Sequence, residues 1–148
     1  MKSKKQTGFS LLELLAAMSI IVILATLAVT SYQKQIRKAR RADAKTVLLE
    51  TAQFMERNYT EANRYDQDSV GNAINNSTLP HPESPVDGNR KFYDIRFLGA
   101  PATQTFTIDA IPKNGQEKDT LCATLRIDET GKKNIVGGTG SVGKCWAR

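Results

Sequence analysis

The hydrophobic and polar positions divide the chain into four stretches of different pattern. A short basic leader, residues 1–8, is followed by an almost unbroken apolar run, residues 9–29. From residue 32 to about residue 59, apolar side chains recur at spacings of three and four, which is typical of one face of an α-helix. Residues 60–91 are polar and rich in Asn, Asp, Ser and Pro, and short alternating segments follow them. The pattern predicts a long helix, a loop and a small sheet, in that order.

The apolar run and the amphipathic stretch are predicted to form one helix. No Gly or Pro occurs between Tyr32 and Tyr59, so no residue there breaks it. A helix from about Phe9 to Tyr59 would be roughly 75 Å long. Its first half is apolar all round, and its second half carries a stripe that we expect to pack on a sheet. The stripe consists of Ile36, Ala44, Val47, Leu48, Thr51, Met55 and Tyr59.

Three alternating segments after residue 91 predict β-strands. Apolar and polar residues alternate in the segments 93–97, 106–110 and 121–127, and turn residues separate them. Strands with short connections form an antiparallel meander. The predicted fold class is therefore α+β, with a long N-terminal helix, half membrane-spanning and half amphipathic, packed on an antiparallel sheet of three or four strands. The Gly-rich stretch near the C-terminus is predicted to be a loop.

The apolar run Phe9–Val29 is long enough to cross a bilayer, which takes about 20 residues of helix. It is too long for an ordinary secretory signal, and the small residue that could mark cleavage, Gly8, precedes it. The lysines of the leader keep that end in the cytoplasm by the positive-inside rule. We therefore predict a span with everything after Tyr32 on the outer side. An ordinary single-pass anchor is the alternative.

Glu13 is a lone carboxylate in this apolar run. A carboxylate inside a membrane span is costly, which indicates a functional role. If the chain is cut between Gly8 and Phe9, Phe9 gains an α-amino group that could pair with Glu13. The two residues are four apart, so the pair could form within one helix. It could also form between two helices that are offset along their axes, which would hold one subunit to the next.

The sequence Gly-Phe-Ser-Leu-Leu-Glu at residues 8–13, after a basic leader, resembles the processing site of type IV pilins and the related pseudopilins. The resemblance implies that a prepilin peptidase cuts between Gly8 and Phe9 and N-methylates Phe9, and that Glu13 is the assembly glutamate. The implied partners are other pilin subunits, met through helix 9–32, together with the peptidase, the inner-membrane assembly machinery and, before assembly, the membrane. Pilins often carry proline where this chain has Thr30, so a more continuous helix is expected here.

The resemblance also divides the chain. Residues 1–8 are the expected leader, 9–32 the transmembrane and fibre-core helix, and 33–148 the amphipathic helix with a periplasmic globular head. The expected location is the inner membrane of a Gram-negative bacterium, with a cytoplasmic N-terminus, and then an extracellular pilus. The small head and its Lys-Cys-Trp ending most resemble PilE-like minor pilins. The expected function is that of a structural subunit, a minor pilin, of a type IV pilus that supports motility, adhesion or DNA uptake.

Two cysteines, Cys122 and Cys145, could form a disulfide in the head. Small domains bury little core and often need such a cross-link, and an exported domain meets an oxidising compartment. Closing a loop of about 24 residues is worth on the order of 3 kcal/mol. The alternatives are two free thiols or part of a metal site. No second cysteine pair or nearby histidine completes a zinc shell.

The charge of the chain is compatible with DNA binding without strongly favouring it. The net charge is +6, and loss of the three leader lysines leaves 18 basic against 15 acidic side chains. A DNA-binding pilin of a competence pilus and a type II secretion pseudopilin are therefore kept as alternative functions. The candidate DNA contacts are Arg90, Lys91, Lys113, Lys118, Lys132, Lys133, Lys144 and Arg148. A basic stretch from Lys34 to Lys45 could face headgroups, DNA, acidic surfaces of neighbouring subunits, or solvent.

The residues do not form the pattern of an enzyme site. His81 is the only histidine and stands between two prolines, so a catalytic triad is not expected. Residues 138–144 fit the P-loop pattern GxxxxGK, but Cys145 stands where the magnesium-binding Ser or Thr should be. We predict no catalytic residues, no cofactor and no metal site.

Overall fold

The computed structural model of the chain describes residues 10–147. Its main helix, α1, runs from Leu11 to Ala62 without a break. The helix continues through Thr30, whose hydroxyl donates to the carbonyl of Leu27 at 2.9 Å. The predicted cleavage residues Gly8 and Phe9, and the last candidate DNA contact, Arg148, lie outside the described residues.

The chain forms two compact units, Met1–Ile36 and Arg37–Arg148. In the first unit, the large apolar side chains of α1 are exposed; Leu11, for example, keeps 78% of its surface. Among the described residues, α1 contains the one segment that is long and apolar enough to cross a membrane. The second unit, here called the head, contains the rest of α1 and all of the strands.

The head is built on a five-stranded sheet and agrees with the predicted α+β class. The strands are β1 (Glu83–Ser84), β2 (Tyr93–Phe97), β3 (Thr107–Pro112), β4 (Thr124–Asp128) and β5 (Lys133–Val136). Every neighbouring pair is antiparallel and the spatial order follows the chain, so the predicted meander is confirmed. A short helix, α2, covers Val142–Trp146, and short 3-10 turns occupy Asn76–Thr78 and Gln116–Lys118.

The predicted count of three or four strands is too low, because both edge strands lack the alternation on which the prediction depends. Strand β1 has only two residues and lies in the Pro-rich stretch expected to be a loop. Strand β5 lies between β4 and the Gly-rich stretch, and three of its four residues are exposed. Polar, short edge strands are ordinary in proteins because they discourage pairing with other chains.

The predicted helix stripe forms one side of the hydrophobic core from Ala44 onward, whereas its first member, Ile36, is not among the core residues. Ala44, Leu48 and Met55 of α1 are fully buried. They belong to the same core cluster as the inward-facing residues of the sheet, which are Tyr93, Ile95, Phe97, Ile108, Ala110, Leu125 and Ile127. The alternation in β2 and β4 therefore marks the face that the helix covers.

Asn58 fixes the chain where it leaves α1. It is only 8% exposed, and its Nδ2 donates to the carbonyls of Arg64 and Gln67, both at 2.9 Å. We expect Asn58→Ala to lower the free energy of unfolding by about 2 kcal/mol, because it leaves both carbonyls without this donor. Urea unfolding of the mature chain measures the change. Gln53→Ala, at an exposed position of the same helix, is the control. Equal stability of the two variants would contradict this role of Asn58.

Candidate functional site

Two of the candidate DNA contacts have their charges engaged within the head. The Nζ atom of Lys113 lies 2.6 Å from Asp94 Oδ1 and also pairs with Glu83. These bonds raise the pKa of the Lys113 ammonium. The Nζ atom of Lys91 donates to the carbonyls of Pro85 and Val86 at 2.9 and 2.7 Å. Both lysines therefore hold the first strands and their connections together.

A different group of lysines comes together beside β5 and α2. Lys133 begins β5, and its Nζ lies 5.5 Å from the centre of the Trp146 ring. Lys144 is exposed on α2, which contacts β5. From α1, Lys45 donates from Nζ to the carbonyl of Ala147 at 2.6 Å. We call Lys45, Lys133, Lys144 and Trp146 the lysine surface.

Within the lysine surface, Lys45 lies close to other positive charges. Partial burial lowers the pKa of the Lys45 ammonium, and the nearby charges of Arg41, Lys38 and Lys133 lower it further. None of the ion pairs within residues 10–147 involves a lysine of this surface. A solvent-accessible group of like charges without counter-charges attracts anions. The arrangement is suited to binding a polyanion such as nucleic acid.

Close packing holds α2 in this position. The predicted disulfide between Cys122 and Cys145 is present, with the two Cα atoms 5.6 Å apart. A Cβ atom added to Gly138 or Gly140 would lie 2.7 or 2.8 Å from the carbonyl oxygen of Leu121, so a side chain does not fit at either position. The glycines of the apparent P-loop therefore allow this segment to lie against the chain before β4.

A second basic group consists of two arginines beside Phe92 and a third, Arg37, about one helical turn before Arg40 on α1. The Cζ atom of Arg40 lies 3.5 Å from the centre of the Phe92 ring, and that of Arg90 lies 5.5 Å from it. Partial burial lowers the pKa of the Arg40 guanidinium, and the charges of Arg90 and Arg37 lower it further. We call Arg37, Arg40 and Arg90 the arginine cluster. Of the three, only Arg90 is among the candidate contacts predicted from sequence. The sequence signal for Arg37 and Arg40 is their spacing of three within the basic stretch 34–45, which places them on the same side of a helix.

Arg41, although it lies among these basic residues, has a structural role. Its Nη1 lies 2.6 Å from Asp119 Oδ2, and the two side chains are only 12% and 5% exposed. Next to this ion pair, the buried Nε2 of Gln116 donates to the Tyr93 hydroxyl at 3.0 Å and to the carbonyl of Arg37 at 3.2 Å. These bonds join α1 to the 3-10 turn that precedes β4.

The other predicted residues that the structure describes are Lys118, Lys132 and Glu13. Lys118 and Lys132 are exposed; the carbonyl of Lys118 accepts a hydrogen bond from Arg37 Nη1 at 3.2 Å, and Lys132 directly precedes Lys133. Glu13 is exposed in the first turn of α1, and its predicted partner, Phe9, lies outside the described residues. Between residues 10 and 147, no group of three or more His, Cys, Asp or Glu residues is close enough to hold a metal ion.

Two family models match the chain. One, described as type IV minor pilin ComP, DNA uptake sequence receptor, matches residues 30–126. The other, the prokaryotic N-terminal methylation motif, matches residues 3–29. The two matches together cover the chain from the basic leader into β4.

Solved structures of type IV pilins are similar to the chain. The non-core minor pilin PilV of Neisseria meningitidis has 19% identity, with 73% of this chain and 94% of that chain covered and a TM-score of 0.47. A type IV pilin from Shewanella oneidensis has 26% identity, with 76% and 99% covered and a TM-score of 0.48. Among curated proteins, none matches the chain in sequence.

Proposed function

Because this chain belongs to the ComP family of type IV minor pilins, we propose that it binds DNA through its lysine surface as a subunit of a pilus for DNA uptake. As a minor pilin it is a structural subunit that assembles with other pilins. The family description names a DNA uptake sequence receptor, which supports DNA as the ligand. The family match also favours a pilus over the alternative, a secretion pseudopilus.

The proposal includes the processing of the subunit and its storage in the membrane before assembly. A prepilin peptidase cuts between Gly8 and Phe9 and methylates Phe9, and the match of residues 3–29 to the methylation motif supports this step. The apolar helix then stores the subunit in the inner membrane of a Gram-negative bacterium, with the head in the periplasm. The inner-membrane machinery moves it from there into the extracellular fibre.

The observation that carries the proposal is the set of uncompensated charges on the lysine surface. Lys133 and Lys144 are exposed and have no counter-charge among the described residues. Lysines that approach phosphates release counterions from DNA, which supplies affinity without sequence selection. Trp146 lies within the same surface and adds an aromatic side chain beside the charges. The surface is suited to contact with the DNA backbone, and other subunits of the pilus add further contacts to the same DNA.

Exchange of two lysines tests the proposal. We expect Lys133→Gln with Lys144→Gln to weaken DNA binding and to make the slope of log K against log salt shallower by about 2, since about 0.9 is lost for each phosphate contact. Fluorescence anisotropy of a labelled duplex with the mature chain in detergent, at several salt concentrations, measures both effects.

The matched control removes two charges elsewhere. Arg57→Gln with Arg96→Gln changes exposed positions outside the lysine surface. The slope of log K against log salt for this variant should stay close to that of the unaltered chain. If the control lowers the slope as much as the lysine variant, binding depends on total charge and the assignment to this surface is wrong. If the unaltered chain does not bind the duplex at low salt, the DNA-binding function itself is wrong.

A further inference from the structure

The charges of the arginine cluster are not neutralised by ion pairs of the head, although Arg37 Nη1 donates a hydrogen bond to the carbonyl of Lys118 at 3.2 Å. None of the ion pairs within residues 10–147 includes Arg37, Arg40 or Arg90. The Cζ atom of Arg40 lies over the Phe92 ring, 3.5 Å from its centre, and both side chains are half-buried. A stacked guanidinium keeps its outer edge free, and that edge can bind a phosphate with two parallel hydrogen bonds.

Arg37 and Arg40 lie shortly after the apolar run, so the phosphates nearest to them are those of the membrane surface. Arg37 follows Val29, the last residue of the apolar run, by eight residues, and Arg40 follows it by eleven. Along a helix these separations are about 12 and 16 Å. The headgroup layer extends about 5–8 Å beyond the hydrocarbon core, and charges attract one another over a further distance of about 8 Å in physiological salt. Arg37 and Arg40 are therefore tethered within range of the membrane surface.

We propose that the arginine cluster docks on anionic phospholipid headgroups while the subunit is stored in the membrane. The proposal rests on the membrane storage proposed above and does not depend on DNA binding. DNA arrives from solution and can approach any exposed face, whereas the chain keeps these arginines beside lipid in every stored subunit. Basic residues next to a membrane span are attracted to anionic lipids, each by about a five-fold factor in the equilibrium constant. On assembly the cluster leaves the lipid and becomes free for other contacts.

Nuclear magnetic resonance of the mature chain in lipid nanodiscs tests this docking. The discs contain phosphatidylcholine, with or without phosphatidylglycerol, and a trace of lipid with a spin label on its headgroup. The Nε–H signals of the arginines report how close each guanidinium lies to the label. We expect the signals of Arg37, Arg40 and Arg90 to broaden more when phosphatidylglycerol is present, and high salt to remove the difference. Arg57 and Arg126 serve as internal controls.

Two variants separate docking from mere tethering. Arg40→Gln with Arg90→Gln should weaken the docked state by about 25-fold, so that the Arg37 signal loses its dependence on phosphatidylglycerol. Arg57→Gln, an exposed change elsewhere on α1, should leave that dependence intact. Arg40→Lys with Arg90→Lys keeps the charge and should retain part of it, and thermal unfolding checks that each variant folds.

Other outcomes overturn the proposal. Equal broadening in both kinds of disc would mean that the arginines are near lipid only because they are tethered to it. If duplex DNA shifts the three signals in phosphatidylcholine discs while phosphatidylglycerol has no effect, the cluster belongs to a nucleic-acid surface. If the chain does not bind DNA but its arginines respond to phosphatidylglycerol, the lipid proposal stands while the DNA proposal fails.

Discussion

Asp119→Ala is expected to lower the free energy of unfolding of the head by about 4 kcal/mol, because removal of one partner from a buried ion pair leaves the other charge without compensation. The partner is Arg41, which is 12% exposed and bonded to Asp119 at 2.6 Å. Within residues 10–147 its Nε already has no hydrogen-bond partner, so the guanidinium cannot recover the lost bond without moving. Denaturant unfolding of the mature chain, followed by the fluorescence of Trp146, measures the change.

A second ion pair provides the matched control for Asp119→Ala. Arg64 and Asp66 are also joined at 2.6 Å, but their side chains are 37% and 26% exposed. Asp66→Ala should therefore cost less than about 1 kcal/mol, as exposed pairs generally do. The double variant Arg41→Met with Asp119→Leu should recover most of the lost stability, because it removes both buried charges. If Asp119→Ala and Asp66→Ala lowered the free energy of unfolding by similar amounts, burial would not be the cause of the large effect at Asp119.

Local pattern predicted most of the fold. The spacing of Ala44, Leu48 and Met55 placed one face of α1 on a sheet, and these three residues are fully buried. Alternation placed β2 at the observed residues and located β3 and β4 to within a few positions. These signals are visible in sequence because burial on one face repeats with the period of the element. Edge strands β1 and β5 are set by backbone pairing, which leaves no such period.

The candidate site was harder to predict because a charge acquires its role from distant partners. Lys113 resembles any other exposed lysine in the sequence, yet it bonds to Glu83 and Asp94, which come from other strands. Arg40 obtains its position from Phe92, fifty-two residues later. The net charge of the chain includes every lysine and arginine equally, whereas the fold pairs some of these side chains with carboxylates and leaves others without an ion pair.

The basic stretch of α1 shows how helical rotation divides such roles. Successive residues turn by about 100°, so neighbours in sequence point to different surroundings. Arg40 stacks on Phe92. The residue after it, Arg41, bonds to buried Asp119. Lys45, four residues after Arg41, bonds to the carbonyl of Ala147. One run of cations thus serves the arginine cluster, the core and the lysine surface, which separates the proposed lipid contacts from the proposed DNA contacts.

The second large effect is expected in assembly. Glu13→Ala should leave the apolar helix in the membrane but lower incorporation into pili at least tenfold. In the proposed fibre, Glu13 of one subunit pairs with the α-amino group of Phe9 of its neighbour in an apolar surrounding. Removing one partner of such a pair costs about 3–5 kcal/mol, and every 1.4 kcal/mol is about a factor of ten. The ratio of subunit in sheared pili to subunit in the membrane measures the loss.

The comparison needs a glutamate outside the apolar helix and a check of processing. Glu61→Ala, at an exposed position near the other end of α1, removes the same group and should not change incorporation. Mass spectrometry must show the same methylated Phe9 at the N-terminus of both variants, because an uncut leader would block assembly for another reason. Glu13→Gln distinguishes charge from hydrogen bonding: if the ion pair drives assembly, the amide should assemble poorly too. Normal incorporation of processed Glu13→Ala would contradict the role proposed for Glu13, since it would mean that apolar packing of the helices suffices without the pair.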